Sequence, residues 1–139
     1  MRVIFLFAFL VLVSSFGCRE ADLNSPFNAG DMPENSPVIV SASGSYTFNV
    51  NANNFSLERN DPLVFQNDST VITLAIEKHQ TGSFNLLIKN SNGDSLFTEN
   101  STGNRTLVLL KKFDSFPANA NISIKSMTAK VSLVLAVKK

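Results

Sequence analysis

Tryptophan is absent from this 139-residue chain, and tyrosine, histidine and cysteine occur once each, as Tyr46, His79 and Cys18. One cysteine excludes a disulfide within the chain, so the fold must stand on packing alone. One histidine and one cysteine cannot supply the three or four N/S ligands of a zinc centre. A Ser-His-Asp or Cys-His catalytic site would have to use His79. That residue lies in Glu77-Lys78-His79-Gln80-Thr81-Gly82, which reads as a loop between strands with no nucleophile elbow beside it, so it is assigned as a solvated histidine. The shortage of Trp and Tyr weakens the case for an aromatic sugar-stacking platform and leaves the core to Phe, Leu, Ile and Val.

Charge of either sign is also scarce. Twelve Lys+Arg face eleven Asp+Glu, and from Val38 onward the count is ten against seven. So small an imbalance gives no field to gather nucleic acid, and no nucleic-acid partner is expected. No glycine-rich phosphate loop is present. The carboxylates from Val38 onward sit mostly in expected turns, and none pairs with another in a pattern that suggests acid–base work. Asn90-Ser91-Asn92-Gly93-Asp94 places oxygens at alternate positions, a weak resemblance to a calcium loop, but it lacks a distal Glu. A hairpin turn explains it, with Asn92-Gly93 as a type I′ pair. No catalytic, cofactor-binding or metal-binding residue is therefore named, no cofactor is expected, and the chain is not read as an enzyme.

The longest apolar run is Val3 to Val13, eleven residues, and a helix needs about 20 to cross a bilayer. With Arg2 before it and Ser14-Ser15 after it, that run suits the apolar region of a signal peptide. Small residues at Ser15 and Gly17 would satisfy an ordinary signal peptidase, which would make Cys18 incidental. The four residues Ser15-Phe16-Gly17-Cys18 also resemble the lipobox of bacterial lipoproteins, with Ser15 where that family prefers Leu. The resemblance covers residues 1–18 and implies cleavage before Cys18, acylation of its thiol with palmitate-like chains, and membrane attachment through lipid. Two or more acyl chains hold a protein stably at a membrane surface, at about 0.8 kcal/mol per buried methylene. Arg19 rather than Asp after the cysteine implies, by the same resemblance, the outer membrane of the cell envelope.

Residues 18–37 read as the lipidated cysteine and a disordered tether, with Pro26, Pro33 and Pro37 among Asn, Ser, Gly and Asp. Glu20, Asp22, Asp31 and Glu34 read as its solvated charges. Fully extended, about twenty residues reach about 65 Å.

From Val38 the apolar residues recur at every second position, the mark of half-buried strands. Val38-Ile39-Val40 reads as a short first strand. Tyr46, Phe48 and Val50 form the next, followed by Phe55 and Leu57. Asn60-Asp61-Pro62 reads as a break and Leu63-Val64-Phe65 as a restart. Strands follow at Val71–Glu77, Phe84–Ile88, Leu96-Phe97, Leu107–Leu110, Ile122–Ile124 and Val131–Val137. Leu107–Leu110 is apolar on both faces, as a central strand would be. Phe113–Ala120 reads as a crossing between sheets. The expected fold over 38–139 is all-β, a small antiparallel β-sandwich of about 8–10 short strands, with a lipocalin-like β-barrel as the alternative.

The segments FNLLIKNSNGDSLF and ISIKSMTAKVSLVLAV resemble the strand–turn–strand rhythm of small secreted β-sandwich modules of the bacterial pre-peptidase C-terminal type. Asn119-Ala120-Asn121-Ile122 stands where those modules carry Gly-x-Tyr, and no function is carried over. The sequence thus implies a non-catalytic, lipid-anchored envelope module that binds a protein or glycan, or plays a structural part. The alternatives are a barrel carrying a small apolar ligand and, less favoured, a hydrolase.

Overall fold

The computed structural model describes residues 32–138. The expected signal peptide, Cys18 and the expected tether up to residue 31 lie outside the described residues. The described chain is all-β: β1 (Val38–Ala42), β2 (Ser45–Pro62), β3 (Ser69–Lys89), β4 (Ser95–Ser101), β5 (Arg105–Lys112) and β6 (Asn119–Val137). All pairings between these strands are antiparallel. The expected sandwich is present, but its many short strands are mostly halves of three long ones. β2, β3 and β6 run 18, 21 and 19 residues and each bends midway.

Tyr46 and Asp61 demonstrate the bend. Fifteen residues of a straight strand span about 50 Å, yet the Tyr46 hydroxyl donates to Asp61 Oδ2 at 2.7 Å within one strand. β2 has folded back across the core. The same happens in β3 and β6, in register. The ladder between β2 and β6 slips between Ala52 and Leu57, and that between β3 and β6 between Glu77 and Ser83. Asn54, Lys78 and Ser126 take positive φ at these slips, and so does Gly82. Extra residues of this kind are β-bulges, which bend a strand and raise its twist. Side chains replace the ladder bonds lost there. Thr128 Oγ1 accepts from the Asn54 amide at 3.0 Å and Ser56 Oγ from the Ser126 amide at 2.8 Å. Thr81 Oγ1 donates to the Ser126 carbonyl at 3.1 Å. Gly82 is obligatory: φ is +83°, and a Cβ would lie 2.5 Å from both Met127 Cα and the Ser126 carbonyl oxygen.

The bends divide the sheet into two layers. One has the order β1, first half of β2, second half of β6, first half of β3, β5. The other has the second half of β2, first half of β6, second half of β3, β4. The sheet is not closed into a barrel: among the described residues β1 and β5 are the edges of the first layer, and the second half of β2 and β4 those of the other. One apolar core fills the space between them, with Phe48, Leu74 and Leu133 from the first layer and Phe84, Leu86 and Ile122 from the second.

Several local expectations are corrected. Leu63-Val64-Phe65 is not a strand but a loop that drops Leu63 and Phe65 into the core. Among the described residues β5 pairs only with β3, so Leu107–Leu110 is an edge strand. It is apolar on both faces because Leu107 leans on the core while Val108 and Leu110 face outward. The Asn92-Gly93 turn is not type I′, since only Gly93 has positive φ. The turn runs from Asn90 to Gly93, whose amide donates to the Asn90 carbonyl at 3.1 Å, with Gly93 as the left-handed residue that follows a type I turn. The segment 113–118 joins the first layer to the second, with Phe113 and Pro117 buried along it.

Candidate functional site

Cys18, the one site residue singled out in the sequence, lies outside the described residues. Ahead of Val38, where the sequence suggests only tether, the chain is already fastened to β2. The Asn35 amide donates to the Asn51 carbonyl at 2.9 Å, and Asn35 Oδ1 accepts from the Asn53 amide at 2.8 Å.

His79 falls inside β3, at its bend, and not in a loop between strands. Its amide donates to Asn104 Oδ1 at 2.9 Å, and its Nε2 stands 3.1 Å from the Gly82 carbonyl oxygen. Both contacts serve the corner. In the calcium-like loop, Asn90 Oδ1 accepts from the amides of Asn92 and Asp94 at 3.0 and 2.9 Å, and Asn90 Nδ2 donates to Asp94 Oδ2 at 2.9 Å. These oxygens hold the hairpin in shape. Among the described residues no three His, Cys, Asp or Glu side chains cluster as metal ligands would.

The strongest polar cluster joins Tyr46, Asp61 and Arg59. Arg59 lies in the inward phase of β2 at the open edge of its layer. It grips Asp61 in a two-pronged pair, Nη2 to Oδ1 at 2.6 Å and Nε to Oδ2 at 3.0 Å. That hydrogen bonding holds the Asp61 carboxyl below its ordinary pKa, against the opposing effect of burial. Burial first, then the bond to Asp61, pushes the Tyr46 phenol far above its usual range. Arg59 is raised by its bond to Asp61. The cluster ties one layer to the other and presents no free nucleophile.

The two outer faces differ in chemistry. On the second layer, Glu58, Ser123, Asn85 and Asn100 stand in one cross-strand row and Asn60, Asn121, Leu87 and Thr98 in the next. Two shallow depressions of about 300 and 220 Å³ share Asn85 and Ser123. The larger is bordered by Lys125, the smaller by Glu58 and Arg59. Asn85 donates to Asn100 across β3 and β4. Asn121 Oδ1, beside the smaller depression, is buried without a hydrogen-bond partner. On the first layer, the row is Val40, Thr47, Val134, Thr73, Val108, and the next is Ala42, Ser45, Ala136, Val71, Leu110. A groove of about 460 Å³ crosses this face, lined by Met32, Thr47, Thr73, Ala75 and Val134, with Glu77 and Lys130 at one end.

The period-two pattern marks Asn85, Asn121 and Ser123 as outward-facing. Their convergence on one face follows from the register, which the sequence does not state. The inward pairing of Arg59 and Asp61 carries no such signal, since Asn60-Asp61-Pro62 has the composition of a turn. No known family model matches this chain. No curated protein matches it either.

Proposed function

We propose that this protein is a non-catalytic lipoprotein of the bacterial envelope, tethered through acylated Cys18 and presenting its sandwich as a binding module. The observation that carries the binding role is the asparagine-rich outer face of the second layer, with depressions centred on Asn85 and Ser123. Amide side chains of this kind pair with hydroxyl and amide groups, each offering both donors and acceptors. The class of ligand that suits such a face is a neutral polar polymer, a glycan before a protein loop. The anchor rests on the lipobox-like Ser15-Phe16-Gly17-Cys18 and on Arg19, which favours the outer membrane.

An interior carrier site would need an enclosed apolar cavity. The described layers are open at their edges and packed between, which favours binding at an outer face.

Two measurements test the reading. Mass spectrometry of the membrane fraction is expected to find an acylated N-terminal peptide beginning at Cys18, and Cys18→Ala to release the protein from the membrane. Equal retention of wild type and variant refutes the anchor. A panel of envelope glycans is expected to show binding that Asn85→Ala with Ser123→Ala weakens at least about tenfold, the loss of one or two good hydrogen bonds. Unchanged binding by a folded double variant refutes the site.

A further inference from the structure

The apolar face of the first layer poses its own problem. Val40, Val108 and Leu110 are 54, 70 and 51 % exposed, on the outward side of a layer whose inner side is already packed. We propose that this face is the docking site of the chain's own N-terminal segment, residues 19–31, seated in the groove by Phe27 and Leu23.

Four observations support this occupant. Met32, the first described residue, already lines the groove, so the chain immediately before it starts from the apolar face. The direction of entry is fixed by the hydrogen bonds that hold Asn35 to Asn51 and Asn53. Asn49 points outward between Val38 and Ser132 on this same face, yet is only 2 % exposed. It is therefore covered, at the place where Met32 stands. Finally, the segment has the right pattern. Read as an extended chain, Ala21, Leu23, Ser25, Phe27 and Ala29 fall on one side, and Asp22, Asn24, Pro26 and Asn28 on the other.

The distances agree. Five extended residues from Met32 to Phe27 cover about 16 Å, and neighbouring strands lie about 4.8 Å apart. That reach carries Phe27 from beside Asn49 on β2 across β6 and β3 as far as Val108 on β5, with Leu110 within reach of its ring. Crossing the strands avoids the need for a free edge, and the contact is made by side chains. The groove narrows the choice of occupant by shape: a concave trough takes a single chain more readily than a second copy of the same concave face. The docked segment would leave a shorter span between the sandwich and residue 18. The inference does not depend on whether Cys18 carries lipid.

The test uses the full chain expressed in intact cells, whether membrane-bound or released, with the photo-crosslinking residue p-benzoylphenylalanine in place of Phe27 and adducts mapped by mass spectrometry. The expected adducts are intrachain, to peptides containing Val108, Leu110 or Val134. In a Val134→Lys background they should fall at least about tenfold, as when burial of one large apolar side chain is lost, with circular dichroism unchanged. A reciprocal probe at the exposed position 108 should capture residues 23–29, which guards against the benzophenone itself failing to seat at position 27. Adducts to a second copy, to lipid, to another protein or to the polar face overturn the proposal. So does capture of the segment by neither probe.

Discussion

The buried brace of Tyr46, Asp61 and Arg59 offers the sharpest test of how the two layers are held together. Tyr46→Phe removes one hydroxyl without creating a cavity. The lost bond is charge-assisted, for which about 1.5–3 kcal/mol is typical. Arg59 keeps Asp61 paired after the change, so the lower end applies, about 1.5 kcal/mol. Asp61→Ala is expected to cost more, about 2–3 kcal/mol. It leaves the Tyr46 hydroxyl buried and unpaired, at about 1–3 kcal/mol. The Arg59 side chain, 37 % exposed, can turn to water and adds little. In a double-mutant cycle the Tyr46–Asp61 coupling should be about 1–1.5 kcal/mol.

The pH dependence follows from the two shifts. Asp61 is held below its ordinary pKa of 3.8 in the fold. Its contribution is therefore present above about pH 4 and is lost as pH falls through the depressed folded value. Tyr46 is raised above its ordinary value of 10.0. Its contribution is whole below about pH 10 and is lost as pH rises beyond that. Urea unfolding at pH 7 and across both limbs measures all of this. Asp61→Asn should flatten the acid limb and Tyr46→Phe the alkaline one. A cost below about 0.3 kcal/mol for Tyr46→Phe, with acid limbs that superimpose for wild type and Asp61→Asn, would refute the brace.

The corner line gives two predictions of opposite sign. Gly82→Ala places a Cβ against backbone at a positive φ, and it should destabilise by more than about 3 kcal/mol or prevent folding, read by urea unfolding or yield of soluble protein. Lys78→Gly relieves an exposed side chain from φ of 54° and should stabilise by about 0.5–1 kcal/mol, after the entropy that glycine loses on folding. In the core, Leu133→Ala, at a position with no solvent exposure, should cost about 2–5 kcal/mol in the same assay.

The all-β class was legible because alternation from Val38 onward is nearly unbroken, and inward residues such as Phe48, Leu74, Leu86 and Leu133 fall in the expected phase. What misled was continuity. Asn53-Asn54 and Ser126 look like strand ends, since Asn and Ser are turn residues. The pattern held a subtler sign. In β2 the core-facing set moves from even positions (Tyr46, Phe48, Val50) to odd ones (Phe55, Leu57, both half-buried), and in β6 from even (Ile122, Ile124) to odd (Met127, Val131, Leu133). A one-residue slip of phase is what a bulge produces within a continuing strand. β3 hides the sign, because Ile76 and Phe84 keep the same parity across Lys78 and Gly82. The polar face was half legible. Each strand announced its outward residues, but which of them become neighbours depends on register across β2, β6, β3 and β4.

The same bulges let one bent sheet carry two unlike exteriors over a shared core. A regular strand keeps one parity on the concave side of a bend, so β2 and β6, whose apolar residues change parity, would face the core in one layer and water in the other if they ran through the bend without an extra residue. One extra residue in each keeps both halves facing the shared interior, while the outward residues of each half differ in chemistry. β6 carries Asn121, Ser123 and Lys125 outward before its bend and Ser132, Val134 and Ala136 after it. β3 carries Val71, Thr73 and Ala75 outward before its bend and Ser83, Asn85 and Leu87 after it. Antiparallel neighbours therefore bring polar half to polar half and apolar half to apolar half. Inserting one alanine after Asn54 would put this argument at risk most directly. It should turn either Phe55 and Leu57 or Tyr46 and Phe48 out of the core, and a variant carrying it that unfolds cooperatively at the wild-type urea midpoint would show that the slip is not what sets the faces.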